Sequence, residues 1–84
     1  MTPLHELLSR IRWDAEFGAA RFVLGYYDRV AGRIVRIDLR EVTRDAANHS
    51  MLDLIDEDGH ARSIPLHRVK EVLRNGKLIW RRAH

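Results

Sequence analysis

The sequence predicts an α+β fold: an N-terminal helix followed by a small, strongly curved, five-stranded antiparallel sheet that closes toward an SH3- or Sm-like barrel. Three observations predict it. Leu4, Leu7, Leu8 and Ile11 recur at helical spacing near the N-terminus. From Arg21 onward, apolar and polar residues alternate with the period of two that places one set on each face of a strand. The turn pairs Ala31-Gly32, Asp58-Gly59 and Asn75-Gly76 punctuate those runs. Five short strands are too many for a flat sheet in a chain of 84 residues, and curling hides their edges while the helix covers one end.

Each element has a local reason. Thr2-Pro3 reads as N-cap and first helical residue, because proline lacks only an N–H that a helix start leaves unused. The apolar stripe runs about three turns and ends near Arg12-Trp13; Asp14 to Ala20 contains Gly18 and holds no sustained pattern. Trp13 is expected to pack over the end of the sheet, with Asp14 capping the following turn. Arg21 to Arg29 forms the first strand, with Phe22, Leu24 and Tyr26 on one face and Val23 and Tyr27 on the other. Val35, Ile37 and Leu39 alternate with Arg36 and Asp38 in the second. Asp45 to Ser50 is a polar loop, and Met51 to Asp56 the third strand. The fourth starts at Arg62 to Ile64, bends at Pro65 and resumes at Val69 to Arg74. Asn75-Gly76 is the strongest short hairpin signal in the chain, and Leu78 to Arg81 completes the fifth strand, with Trp80 expected in the core.

Composition bounds the chemistry. A single domain over residues 1–84 is expected, with 45% hydrophobic and 32% charged residues. The absence of cysteine excludes disulfides and zinc–thiolate sites. No apolar run approaches the roughly 20 residues of a membrane span, and the amphipathic N-terminus is no signal peptide, so a soluble, cytoplasmic protein without membrane association is expected. The net charge of +3 hides an asymmetry. Asp38, Glu41, Asp45, Asp53, Asp56, Glu57 and Asp58 face only Arg40 and Arg44, whereas Arg62, Arg68, Lys70, Arg74, Lys77, Arg81 and Arg82 face Glu71 alone. A basic C-terminal hairpin suits a polyanion, although solvated strand faces carry such charge too.

Two segments concentrate candidate binding groups. His67-Arg68 follows Pro65 at the mouth of a strand; arginine offers a rigid fork of donors to a phosphate and histidine a switchable one. In Gly25-Tyr26-Tyr27-Asp28-Arg29, the glycine leaves room for close approach and one tyrosine is free to stack a base. Asp28 is placed to orient an arginine or accept from a backbone turn. No Gly-rich phosphate loop and no Gly-x-Ser-x-Gly is present. His5, His49, His60 and His84 show no metal spacing, and Asp56-Glu57-Asp58-Gly59 reads as a plain turn, so neither metal nor cofactor is expected. A phosphodiesterase wants two convergent histidines, and only His67 sits in a plausible site.

Trp13-Asp14, Gly25-Tyr26 with Asp28-Arg29, Ile64-Pro65 with His67-Arg68, and Trp80, in this order, resemble the RNA cyclic-group end-recognition domains. The resemblance runs from Leu7 to Arg82. It implies an RNA-binding module for RNA termini, particularly 2′,3′-cyclic phosphates, found alone or fused to RNA-processing enzymes and acting in RNA processing or repair. On that reading His67 and Arg68 hold a terminal phosphate, Arg29 assists, Asp28 lies at the site and Tyr26 stacks the terminal base. The acidic stretch from Arg44 to Gly59 departs from shorter members and leaves open whether it flanks or blocks the site. A protein-interaction module docking an acidic partner on the basic hairpin is the alternative, and an RNA-end phosphodiesterase a third.

Overall fold

A computed structural model describes residues 3–44, 50–56 and 58–82. Helix α1 (Leu4–Trp13) has Pro3 as its N-cap, so it starts one residue later than the sequence suggests; Thr2 lies outside the described residues. Leu4, Leu7 and Leu8 are buried, and Ile11 packs partly against them. The helix stops because Asp14 turns extended and caps the next turn, accepting a hydrogen bond from the Phe17 amide at 3.1 Å. The one-turn helix α2 (Ala15–Gly18) thus occupies a stretch with no helical pattern of its own. Phe17 packs on Phe22 with centroids 5.5 Å apart, while the guanidinium carbons of Arg10 and Arg74 lie 4.0 and 5.0 Å from its ring centre.

Seven strands follow among the described residues, arranged as two open antiparallel sheets. Strands β1 (Phe22–Asp28), β2 (Arg33–Asp38), β6 (Val69–Arg74) and β7 (Lys77–Arg81) form one sheet in the order β2-β1-β6-β7. Strands β3 (Val42–Arg44), β4 (Met51–Ile55) and β5 (Ala61–Pro65) form the other in chain order. The barrel expectation is therefore corrected: neither sheet closes, and the five expected strands are seven. Two single-turn 3-10 helices explain the difference. After β2 the Asp38 carboxylate accepts from the Arg40 amide at 2.9 Å and starts η1 (Leu39–Glu41), so Leu39 leaves the strand and the chain enters β3 of the second sheet. After β5, Pro65 opens η2 (Leu66–Arg68), which returns the chain to the first sheet as β6. The run with a bend at Pro65 is two strands in different sheets.

The core fills the space shared by the sheets and α1. Phe22, Leu24 and Tyr26 of β1, Leu52 and Leu54 of β4, Ile64, Val69, Val72 and Trp80 are all buried. Leu24, Val69 and Val72 are the most enclosed, and burying such a side chain stabilises by about 1.5–3 kcal/mol. Trp80 lies in the core as expected. Trp13 does not: it is 79% exposed beside the Arg12 guanidinium, because α1 ends with its side chain turned away from the sheets.

Asn75 and Gly76 both take positive φ, 51° and 83°, the combination that a two-residue hairpin of this type requires. Asn75 also ties this hairpin to the start of β1. Its amide donates to the Arg21 carbonyl at 2.8 Å, and its side-chain oxygen accepts from the Arg21 amide at 3.0 Å. Gly25 is needed for another reason. A Cβ there would overlap the Glu71 side chain, which crosses β1 to accept from Arg36 Nε at 2.8 Å. The close approach foreseen at Gly25 is made by the protein's own ion pair.

Candidate functional site

Pro65 has no N–H to offer a sheet, and its φ of −61° with ψ of 141° leads directly into η2. The Leu66 amide, next in line, donates to the Ser50 carbonyl at 2.9 Å, fixing η2 against the start of β4. His67 is thereby held exposed at one end of the molecule. It lines a cleft of about 740 Å³ with Pro3, Leu4 and His5 of the α1 start, Ser50 and Met51, Pro65 and Leu66, and Trp80 and Arg82. The size falls within the roughly 300–1,000 Å³ typical of small-molecule sites.

Arg82 is the cation of this cleft. Its Nε donates to the Val69 carbonyl at 3.1 Å and its Nη2 to the Leu66 carbonyl at 3.4 Å, while its guanidinium carbon lies 5.1 Å from the Trp80 ring centre. Neutral carbonyls fix the guanidinium without cancelling its charge. Among the described residues Arg82 has no carboxylate partner, and no carboxylate lines the cleft. Such an arrangement has the chemistry to hold an anion, with arginine donors left over and the imidazoles of His5 and His67 in the same lining.

The five candidate residues do not share one pocket. η2 packs beside β1, whose Tyr26 stands opposite Val69, so His67-Arg68 and the end of the Gly25–Arg29 segment are neighbours. His67 nevertheless opens into the Arg82 cleft, whose lining includes none of Arg68, Arg29, Tyr26 and Asp28. Arg68 is half-buried, with a buried Nε that has no acceptor. Arg29 is exposed in the turn after β1. Tyr26 is only 4% exposed and packs in the core, and it lines a small recess of about 190 Å³ together with Asp28, Val30, Ala31 and Arg33. Tyr27, on the opposite face, is 40% exposed.

Asp28 is occupied from within. Its Oδ1 accepts from the amides of Val30 and Ala31 at 2.9 and 3.2 Å, and its Oδ2 accepts from Arg62 Nη1 at 3.0 Å. The Ala31 amide and, after it, Arg62 and the Val30 amide hold its carboxyl below the usual range, against the opposing pull of burial. Arg62 is shifted up in return, chiefly by its hydrogen bond to Asp28. Asp28 therefore does what a turn acceptor and arginine-orienting group would do, the role the sequence suggests for it.

Two residues of the cleft escaped sequence reasoning. Arg82 looked like one more cation of a basic tail, and His5 like one of several scattered imidazoles. Only the docking of α1 against η2 brings them together, and no spacing in the chain signals it. Among the described residues Arg68, Lys70, Arg74, Lys77, Arg81 and Arg82 also lack ion-pair partners, whereas Arg21, Arg36, Arg40 and Arg62 are paired. The acids of the middle segment stand apart. Glu41 and Asp53 line a separate cleft of about 370 Å³ on the β3-β4-β5 sheet, whereas Ser50 and Met51 of the stretch from Arg44 to Gly59 line the Arg82 cleft itself. Asp56, Asp58 and His60 come within 4.8 Å of one another, closer than their sequence positions suggested. Asp56 Oδ1, however, already accepts from the amides of Asp58 and His60, which is the expected turn. Asp45, His49, Glu57 and His84 lie outside the described residues.

Fold and cleft together define a small, two-sheet α+β domain whose strongest candidate site is a cationic recess lined, among the described residues, by no carboxylate. The chain belongs to the MJ1316 RNA cyclic group end recognition domain family, which it matches over residues 1–82, nearly its whole length. The family description makes RNA ends the partner and supports RNA-end binding in general. No curated protein and no solved structure matches the chain. No helix among the described residues is long and apolar enough to cross a membrane.

Proposed function

We propose that this protein is a single RNA end-recognition domain that seats a terminal 2′,3′-cyclic phosphate in the cleft between α1 and η2. Arg82 and His67 contact the phosphate, and the Ser50 hydroxyl lies within the same recess. Arg68 and Arg29, outside the cleft lining, draw in the preceding phosphates, and Tyr27 offers the exposed ring on which a base stacks. The observation that carries this reading is the Arg82 guanidinium, fixed by two backbone carbonyls and unpaired with any described carboxylate. Family membership supplies the ligand class. The unpaired cations of β6 and β7 support electrostatic attraction of the strand that leads to the end. A cytoplasmic role in RNA processing or repair, with RNA-processing enzymes as partners, fits this reading. The test is the affinity of one short oligonucleotide prepared with cyclic-phosphate, linear-phosphate and hydroxyl ends, measured on the wild type and on Arg82→Ala. Equal affinity for the three ends overturns end recognition, and no RNA binding even at low salt turns the basic hairpin toward an acidic protein partner.

A further inference from the structure

We infer that the cleft opens the cyclic phosphate it holds, hydrolysing a 2′,3′-cyclic phosphate end to a monophosphate with His5 and His67 as the acid–base pair. The inference rests on the RNA-end reading above and adds a reaction to it. The sequence supports catalysis only weakly, because one histidine alone stands in a plausible site. The fold removes that objection: His5, in the first turn of α1, and His67, in η2, line the same cleft although they come from opposite ends of the chain. Both are exposed, so both rings are open to solvent and ligand.

The chemistry needs three groups, and the cleft holds all three. Imidazole can be present both neutral and protonated near neutral pH, so two imidazoles supply a base and an acid without any further group. Water is the co-reactant. The neutral imidazole takes a proton from the attacking water as its oxygen bonds to phosphorus, and the imidazolium gives its proton to the ribose oxygen as the P–O bond of the five-membered ring breaks. One bond to phosphorus forms and one breaks, and a monophosphate beside a free ribose hydroxyl is left. The two imidazoles have exchanged protonation states and reset through solvent. Arg82 stabilises the negative charge that grows on the phosphoryl oxygens, and no carboxylate among the described residues lines the cleft to oppose it. His5 and His67 are catalytic residues on this account.

The experiment uses the full chain and a short oligouridylate ending in a 2′,3′-cyclic phosphate. Phosphorus NMR follows conversion of the cyclic ester to monoester, while binding of the same RNA is measured in parallel. The expected result is monoester formation above the buffer rate, lowered about 100-fold or more in both His5→Ala and His67→Ala. His60→Ala, which removes an imidazole outside the cleft, leaves the rate unchanged, and circular dichroism confirms the fold of each variant. Wild type that binds the RNA but yields no monoester overturns this inference and leaves the recognition reading standing. Monoester formation unaffected by either cleft substitution overturns it too, as a contaminating activity. Failure of the wild type to bind overturns the recognition reading, and the reaction with it.

Discussion

Arg62 of β5 donates to the Asp28 carboxylate at 3.0 Å, and this ion pair joins the end of β1, an inner strand of one sheet, to an edge strand of the other. The Arg62 and Asp28 side chains are 27% and 10% exposed, so the contact lies in the seam between the sheets. Asp28 is also the acceptor for the turn that reverses β1 into β2. One carboxylate therefore fixes both a turn and a sheet-to-sheet contact.

Loss of the two partners should differ in consequence. Asp28→Ala leaves the Val30 and Ala31 amides and the Arg62 guanidinium without their acceptor, whereas Arg62→Ala leaves Asp28 still held by both amides. Urea unfolding should show Asp28→Ala as the clearly less stable variant. The reverse order would mean that the turn, and not the seam, tolerates the loss.

Acid should expose the same device. Asp28 is held below its ordinary value, and Asp38 is held at about 2, chiefly by the Arg40 amide and then the Arg40 and Arg21 side chains. Both are depressed in the folded state, so their contribution is complete above the unfolded carboxylate value of about 4 and is lost as pH falls toward the folded values. The melting temperature should hold level from neutral pH to about 4 and then fall toward pH 2. Asp38→Asn should flatten that acid limb, and a limb unchanged in this variant would show that other groups set it.

Gly25→Ala should destabilise by about 1–3 kcal/mol, because the new Cβ overlaps a Glu71 side chain that is held by Arg36. Adding Glu71→Ala should recover part of the loss. A double variant no more stable than Gly25→Ala alone would place the strain in the backbone at the adjoining bulge rather than in the side-chain collision.

RNA with a cyclic-phosphate end should bind roughly ten- to a hundredfold tighter than its hydroxyl counterpart, the range given by about 1.5–3 kcal/mol of charge-assisted contact. Arg82→Ala should abolish that preference. Lys77→Ala, at the exposed hairpin turn, should weaken all three ends alike. Fluorescence anisotropy on the three oligonucleotides reads both effects.

Affinity should also fall with salt. If about three phosphates are neutralised, the log–log slope for single-stranded RNA is near −2. A slope near zero would remove the basic hairpin from the interface.

The sequence made much of this fold legible where a local rule acts alone. The α1 stripe, the Asn75-Gly76 hairpin, the turn at Gly59 and the opposed faces of Tyr26 and Tyr27 each follow from a few neighbouring residues. The division into two sheets was not legible, because it depends on two 3-10 turns whose signals are weak. Asp38 reads as one more outward residue of an alternating strand until its carboxylate is seen capping the Arg40 amide. Pro65 marked a bend without saying that the bend changes sheets. At the site the segment around His67 was visible as a Pro-His-Arg cluster, but Arg82 and His5 were not, since their meeting depends on where α1 docks. Tyr26 went to the core because it shares a face with Phe22 and Leu24, which alternation alone already implied.

Two open sheets have a cost that a closed barrel avoids. In the first sheet β7 is a terminal strand, with main-chain hydrogen-bonding groups on its outer side facing no partner strand in the sheet order. Leu78 and Ile79 on this strand are 48% and 37% exposed, a composition that invites a second chain to add itself in register. Lys77 and Arg81 bracket them, and an approaching copy would bring the same two cations into like-charge contact. The cations proposed to attract RNA along this hairpin would thus also oppose polymerisation through its edge. Neutralising them to weaken RNA binding would carry a solubility penalty unrelated to the ligand.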